Sequence, residues 1–287
     1  MINMPEKIII TADSTCDLSK ELIQKHNIKI SPLYVVIGDN ALKDGEQVTP
    51  DDIYKFFDEK GEVAKTSAVS VDDYKNFFTP LVEDGYTVIH FNISLGFSSC
   101  YQNAVIAANE LENVFPVDSK NLSTGIGLLV LKAAELAESG VSSQEILKII
   151  SETVDLVEAS FVIDTLTYLH KGGRCSTVAK LGANLLKLKP CIEVKDGLMH
   201  VGKKFRGNYI NCIKEYINLR LSNRNDIDKS RIFITHTRCS DEVINTAKKE
   251  VAKYGFDEIL ETTAGCTVTS HCGPNTLGIL FINKPNE

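Results

Sequence analysis

The segment NISLGFSSCYQNA, residues 92–104, joins the end of a predicted β-strand to the start of a predicted helix. It places Ser98, Ser99 and Cys100 at this junction, with no charged side chain beside them. These small residues suggest three roles. A serine could act as a nucleophile, the start of the helix could bind an anion, or a serine could simply cap the helix.

A nucleophilic serine is the first hypothesis. Residues 96–100, GFSSC, nearly match the Gly-x-Ser-x-Gly elbow of α/β-hydrolases, but the second glycine is absent. His271 would be the general base, and no carboxylate beside it in the sequence would orient its ring. Asp118 and Asp164 are available carboxylates that could take that role, but no motif in the sequence supports either of them. A serine hydrolase that uses Ser98 and His271 therefore remains an alternative.

An anion site explains more of this junction than a helix cap does. Capping alone accounts for Ser70 and Ser240, each of which precedes a predicted helix, whereas the pair at 98–99 has a hydroxyl to spare. The free N–H groups and partial positive charge of a helix N-terminus attract carboxylates and phosphates. Two other stretches, KTSAVS with Thr66 and TVTSHCGPN with His271, also offer small polar groups.

Composition narrows the class of protein. The 287 residues are 43% hydrophobic and 24% charged, as in ordinary globular proteins, and the net charge of −7 argues against a general nucleic-acid binder. No apolar run reaches the roughly 20 residues of a membrane span, and the first residues do not resemble a signal peptide. We therefore expect a cytoplasmic protein. The eight cysteines include no Cys-x-x-Cys pair, so no metal site is expected.

Strands and helices alternate along the chain, which predicts an α/β fold with a mainly parallel sheet in its N-terminal part. A helix opened by Ser142 is predicted to end near Ala159. After residue 160 the sequence becomes rich in basic residues, and Asp196-Gly197 indicates a β-hairpin. We expect two α/β domains, 1–160 and 161–287.

The stretch from Lys171 to Arg206 is basic within an acidic chain. It holds nine Lys or Arg residues and two acidic residues, a net charge of +7 (9 − 2). Such a stretch is either a solvated surface or a patch that attracts an acidic or phosphate-bearing partner. Lys203-Lys204-Phe205-Arg206, directly after the predicted hairpin turn and strand, is the best candidate for contact with a partner.

Taken in order, many segments of the chain resemble the DegV family, bacterial proteins that bind a single fatty acid. The matching segments are TADSTCDLS, KTSAVS, ISLGFSSCYQNA, VDSKNLSTGIGLLVLKAAELA, DTLTYLHKGGRCS, NLLKLKP, DGLMHVGKKFRG, ITHTRC and SHCGPNTLGILF. The resemblance implies two α/β domains with the acyl chain in a tunnel between them. It also implies that Thr66, Ser98 and His271 hold the carboxylate.

The resemblance further implies a carrier rather than an enzyme, with a long-chain fatty acid as its ligand and no cofactor. Some members present the acyl carboxylate to a fatty-acid kinase, and Lys204 and Arg206 match the segment that contacts this partner. The chain departs from the family pattern at Ser99-Cys100, where Gly-Thr is usual, and at Ala68-Val69 and Thr269. A lipid-responsive sensor is a further alternative.

Overall fold

The computed structural model describes residues 6–173 and 188–285. The strands of this part are β1 (Ile8–Asp13), β2 (Lys29–Ser31), β3 (Tyr34–Ile37), β4 (Asn40–Lys43), β5 (Lys65–Ser67), β6 (Thr87–Asn92), β7 (Val114–Asp118), β8 (Val157–Val162), β9 (Leu188–Lys195), β10 (Leu198–Arg206), β11 (Ile227–Thr237), β12 (Glu258–Thr263) and β13 (Thr276–Asn283). The α-helices are α1 (Lys20–Lys25), α2 (Pro50–Lys60), α3 (Val71–Glu83), α4 (Cys100–Ala108), α5 (Thr124–Glu138), α6 (Ser143–Thr153), α7 (Thr167–Lys171), α8 (Tyr209–Leu221), α9 (Asp241–Ala252) and α10 (Cys266–Cys272).

The N-terminal part contains the predicted parallel sheet. Its strand order is β2-β1-β6-β7, and all three strand pairs are parallel. Every residue of β6 is buried, as expected for a parallel strand that is covered on both faces. The helices α3 to α6 pack against this sheet or against one another. The carboxyl end of β6 leads directly into the loop that carries Ser98, the position at which open α/β sheets bind ligands.

A six-stranded sheet forms the second layer, in the order β10-β9-β8-β13-β11-β12. Its strand pairs are antiparallel except for β11 with β12. The predicted hairpin is confirmed, because Asp196 and Gly197 join β9 to β10 with φ angles of +52° and +74°. These left-handed angles are those of the tight turns that join paired strands. The α/β fold class is therefore confirmed.

Several elements differ from the sequence-based expectation. Helix α6 ends at Thr153 rather than near Ala159, because the following residues form β8 and pair with β9 and β13. A three-stranded antiparallel sheet, β4-β3-β5, and the helices α2 and α10 were not predicted. The division into domains at residue 160 stays a proposal.

Large apolar side chains from both sheets share one core. Phe91 and Ile126 of the N-terminal part pack in the same cluster as Phe161 and Leu280 of the six-stranded sheet. A second cluster lies between that sheet and the helices α8 and α9. Among residues 6–173 and 188–285, no helix combines the length and apolar character that crossing a bilayer requires.

Candidate functional site

Ser98 lies in the loop between β6 and α4 and is half-buried. Its Oγ accepts a hydrogen bond from the backbone N–H of Cys100 at 3.3 Å and donates to the Cys100 Sγ at 3.2 Å. Ser99 is the residue immediately before α4, and its side chain makes no capping hydrogen bond. The two serines are therefore not an ordinary helix cap. Ser70 and Ser240, by contrast, do cap α3 and α9.

Thr66 and His271 meet although they lie far apart in the chain. Thr66 is on β5, at the edge of the three-stranded sheet, and His271 is in the last turn of α10. The Thr66 Oγ1 and the His271 Nε2 are 2.8 Å apart, and the tautomer of the ring determines which of them donates. This contact links the small sheet to the C-terminal part of the chain.

Thr66, Ser98 and His271 line one cavity, which encloses about 570 Å³ of space, part of it open to solvent. All three are half-buried. The rest of the wall is mainly apolar and comes from both halves of the chain; it consists of Leu33, Ser67, Ala68, Ile93, Phe97, Leu122, Leu169, Met199, Thr267, Val268 and Cys272.

A second, smaller cavity of about 320 Å³ adjoins the first, and Leu122, Val268 and Cys272 line both. The second cavity lies against the six-stranded sheet, where it is lined by Phe161 and Leu280, which are 5% and 3% exposed. Together the two cavities have Thr66, Ser98 and His271 at the half-buried end. The other end is lined by buried apolar side chains and by the polar residues Ser123, Thr235, His236, Thr237 and Thr276. Such a shape suits an elongated molecule with one polar end.

The glycine of the elbow-like motif has a packing role. The Ser94 Oγ donates a 2.8 Å hydrogen bond to the backbone oxygen of Gly197, in the turn of the β9–β10 hairpin. A Cβ on Gly96 would lie 2.7 Å from the Leu198 Cδ2 and would also strike the Gly197 oxygen. Gly96 therefore allows the hairpin to approach the Ser98 loop. This packing explains the glycine at position 96 without a nucleophilic serine.

The Cys100 thiol is buried behind Ser98. Burial, with the negative charge of Asp13 nearby, raises the pKa of Cys100 to about 12, so its sulfur stays protonated at neutral pH. Asp13 is fully buried and accepts hydrogen bonds from the Tyr74 hydroxyl at 2.6 Å and from the backbone N–H of Ile93 at 3.0 Å. This polar cluster fixes the end of β6 from which the Ser98 loop departs.

Two buried carboxylates hold the start of α10, the helix that bears His271. Asp44 accepts from the backbone N–H groups of Cys266 at 2.9 Å and Thr267 at 3.0 Å. Asp17 accepts from the backbone N–H of Gly265 at 2.8 Å. Because carboxylates stabilise free N–H groups at a helix start, these contacts seat α10 against the N-terminal part of the chain.

Lys204 and Arg206 lie away from the cavity. Both are exposed on β10, the outermost described strand of the six-stranded sheet. Arg206 is seven residues along β10 from Met199, the residue of that strand that lines the cavity, a span of up to roughly 23 Å. Within the basic stretch 171–206, residues 174–187 lie outside the described residues. The role of Lys204 and Arg206 in contact with a partner stays a prediction.

In the part of the chain that the structure describes, Ser98, His271, Asp118 and Asp164 are not joined by the hydrogen bonds of a hydrolase triad. The His271 Nε2 is hydrogen-bonded to the Thr66 Oγ1, while the Ser98 hydroxyl donates to the Cys100 Sγ. Asp118 accepts from the backbone N–H groups of Leu95 and Lys120, and Asp164 pairs with Lys189. Within the described ranges, no group of His, Cys, Asp and Glu side chains is arranged to hold a metal ion.

Sequence reasoning missed the residues that support the site from a distance. Asp44 is 222 residues from Cys266, and only its position in a Lys-Asp-Gly turn distinguishes it locally. The apolar wall residues look like ordinary core residues in the sequence. An aligned set of relatives would have been needed to separate them.

Known proteins match this chain over nearly its whole length. The model of the DegV family, described as uncharacterised proteins of that family, matches residues 7–284. A DegV domain-containing protein of Clostridium acetobutylicum is 33% identical, and the match covers 97% of this chain and 99% of that protein. A Thermotoga maritima protein named fatty acid-binding protein is 32% identical, with 95% of this chain and 96% of that protein covered.

The fold of the chain also matches that of a solved DegV family structure. The solved structure of a DegV family protein from Thermus thermophilus, described as binding fatty acid, superimposes with a TM-score of 0.86 at 27% sequence identity. That superposition covers 96% of this chain and 99% of the other. The chain therefore belongs to the DegV family.

Proposed function

We propose that the protein binds one long-chain fatty acid, with its carboxylate beside Thr66, Ser98 and His271 and its tail in the two adjoining cavities. The observation that carries this proposal is the polarity of the wall. The hydroxyl and imidazole groups of Thr66, Ser98 and His271 stand at the half-buried end, and the remaining wall is mainly apolar, with some buried hydroxyl groups in the second cavity. The names of the relatives from Thermotoga maritima and Thermus thermophilus support the same ligand class.

The tail would supply most of the affinity. About 15 methylene groups leaving water gain roughly 12 kcal/mol before the costs of association are subtracted. A hydrogen bond to a charged group contributes about 1.5 to 3 kcal/mol net. The cavity wall therefore decides whether a lipid binds, and the polar groups decide which end of it faces solvent.

The bond between Thr66 and His271 determines how a carboxylate would be bound. A hydroxyl has one proton, so Thr66 can donate to a carboxylate only if it accepts from His271. Carboxylate binding would therefore select the form of His271 with a proton on Nε2, which donates to the Thr66 Oγ1. The Ser98 hydroxyl would exchange its weak acceptor, the Cys100 sulfur, for a charged oxygen.

We further infer that the protein is a carrier without catalytic activity, which presents the carboxylate to a fatty-acid kinase. The half-buried head-group residues support this role, because a partner could reach the carboxylate there while the tail stays enclosed. The exposed Lys204 and Arg206 would contact the kinase, since arginine suits anionic groups on a partner. The expected location is the cytoplasm, where such a kinase has its nucleotide substrate.

The proposal is tested with protein from which lipid has been removed. Palmitic acid, hexadecanol and methyl palmitate have similar tails, and titration of each measures what the carboxylate adds. We expect the acid to bind at least tenfold more tightly than the alcohol or the ester. Equal affinity for all three would contradict the assigned head-group site. Steady hydrolysis of the ester, with covalent labelling of Ser98 by a fluorophosphonate, would support the hydrolase instead.

A further inference from the structure

The ring of His271 is in close contact with Gly172, the residue that follows α7. A Cβ built on Gly172 would lie 2.5 Å from the His271 Nδ1, 3.0 Å from the backbone oxygen of Tyr168 and 3.3 Å from the His271 Cε1. A carbon atom does not approach a ring nitrogen this closely, so any side chain at position 172 would displace the ring or the end of α7. The space at this position is therefore occupied by His271 itself.

The backbone conformation of Gly172 does not require a glycine. Its φ and ψ are −75° and −7°, in the right-handed helical region that every L-residue adopts. The neighbouring Gly173 differs, because its φ of +68° lies in the left-handed region that favours glycine. At position 172 the absence of a side chain serves packing rather than backbone conformation.

The contact belongs to a larger interface between α7 and α10. Gly273, directly after α10, packs against the ring of Tyr168 in α7 so closely that its missing Cβ would strike that ring. The helices are thus in contact at both residues, and Leu169 of α7 lines the first cavity beside His271. On its other side, the His271 ring is bonded to Thr66 through Nε2.

We propose that Gly172 is a positioning residue that sets the place of the His271 ring, and so the strength with which the cavity recognises a carboxylate. This inference rests on the proposed function. A side chain at 172 would push the ring from its Nδ1 edge and disturb the 2.8 Å bond between Nε2 and Thr66. Thr66 would then lose the partner that directs its proton toward the ligand.

Gly172→Ala is the test, because alanine fits the backbone and adds only the Cβ. We expect about a tenfold loss of palmitic acid affinity and little change for hexadecanol, which has the same tail and no carboxylate. The matched control is His170→Ala, an exposed position two residues earlier at the end of α7, and it should leave both affinities unchanged. Equal losses for acid and alcohol would show general damage to the cavity and overturn the proposal.

A second measurement separates positioning from a general fault in folding. Gly172→Ala should lower the melting temperature by about 3 °C or more in the natural chain, because the new Cβ meets the ring. In a His271→Ala background the same change should cost clearly less, because the 2.5 Å contact with the ring is gone and only the 3.0 Å contact with the Tyr168 oxygen remains. Alanine also restricts the unfolded chain more than glycine does, which favours the folded state. An equal loss in both backgrounds would overturn the proposal.

The melting experiment needs no ligand, so its result is independent of the proposed function. If the natural chain binds no fatty acid while the two melting effects differ as expected, the packing role of Gly172 stands and the function assigned to the cavity fails. If fatty acid binds and Gly172→Ala leaves its affinity unchanged, the function stands and the positioning role fails.

Discussion

Thr66 and His271 are 205 positions apart in the chain, and a 2.8 Å hydrogen bond joins the Oγ1 of one to the Nε2 of the other. One belongs to a three-stranded sheet near the N-terminus and the other to a short helix near the C-terminus. Neither residue could form the polar end of the cavity alone. The polar end of the cavity, which is the proposed binding site, therefore exists only when the two parts of the chain are folded together.

Ser98→Ala tests whether the acyl tail provides most of the binding affinity while the polar residues orient the carboxylate. The variant should still copurify with lipid, because the apolar wall supplies most of the affinity. Transfer of phosphate to the carboxylate by a cognate kinase should slow, since one donor that orients it is gone. Ser99→Ala is the matched control, because its side chain makes no capping bond. Complete loss of lipid from Ser98→Ala, with Ser99→Ala unaffected, would show that the head group dominates.

Val268→Phe tests the path of the acyl tail. Val268 lines both cavities, so a larger ring at this position should close the passage between them. We expect the affinity for palmitic acid to fall at least tenfold, and that for a ten-carbon acid to fall much less. Titration of the two acids against the variant measures the difference. A uniform loss would indicate that the tail does not enter the second cavity.

Asp44→Asn tests the support of α10. Asparagine keeps one acceptor oxygen but replaces the other with an N–H group, which would face the helix N–H donors instead of accepting from them. We expect a loss of about 2 to 4 kcal/mol in the free energy of unfolding, measured in urea. Because α10 carries His271, affinity for palmitic acid should fall more than affinity for hexadecanol. A stable variant with natural discrimination between acid and alcohol would contradict this account.

Asp17 gives the stability a defined pH dependence. Burial raises the pKa of Asp17 to about 7, opposed by hydrogen bonds from Ser123 and Gly265 and reinforced by the charge of Asp44. The folded protein therefore holds this proton more tightly than the unfolded chain, in which the pKa is about 4. The resulting stabilisation is complete below about pH 4 and is lost as the pH rises through 7.

Unfolding in urea between pH 4.5 and 8 checks this dependence. The natural chain should lose stability relative to Asp17→Asn by up to about 1.4 kcal/mol per pH unit within the window. The difference should level off above pH 7, where Asp17 is ionised in both states. Curves that stay parallel across the whole range would show that Asp17 does not titrate there.

Arg206→Glu tests the contact with a kinase. The residue is exposed and lies outside the wall of the cavity, so the fold and the bound fatty acid should be unchanged. Formation of acyl phosphate with the cognate kinase should be abolished, and in the natural chain it should weaken as salt rises. The control is Lys249→Glu, the same kind of charge change at an exposed position on α9. Transfer by Arg206→Glu at the natural rate, insensitive to salt, would place the docking surface elsewhere.

Features set by neighbouring residues could be predicted from the sequence. The caps at Ser70 and Ser240 and the hairpin turn at Asp196-Gly197 depend on contacts within three or four positions, and the structure confirms them. The parallel sheet followed from the alternation of strands and helices. The end of α6 was predicted wrongly, because pairing with distant strands determines where β8 begins.

The supports of the site could not be predicted in this way. Helix α10 has seven residues and is held at its start by Asp17 and Asp44, more than 200 positions earlier. No local pattern signals such a helix, since its stability comes from tertiary contacts. The contact of Gly172 with the His271 ring is equally invisible, because a glycine in a helical conformation carries no mark of what packs against it.

Analysis of the purified natural chain for bound lipid tests the central claim most directly. Native mass spectrometry gives the mass of the intact complex, and mass spectrometry after organic extraction identifies what it carried. We predict one long-chain fatty acid per chain, retained through purification because the tail is buried. A protein of bare mass that yields no fatty acid on extraction, and that takes up none when palmitic acid is added, would contradict the account.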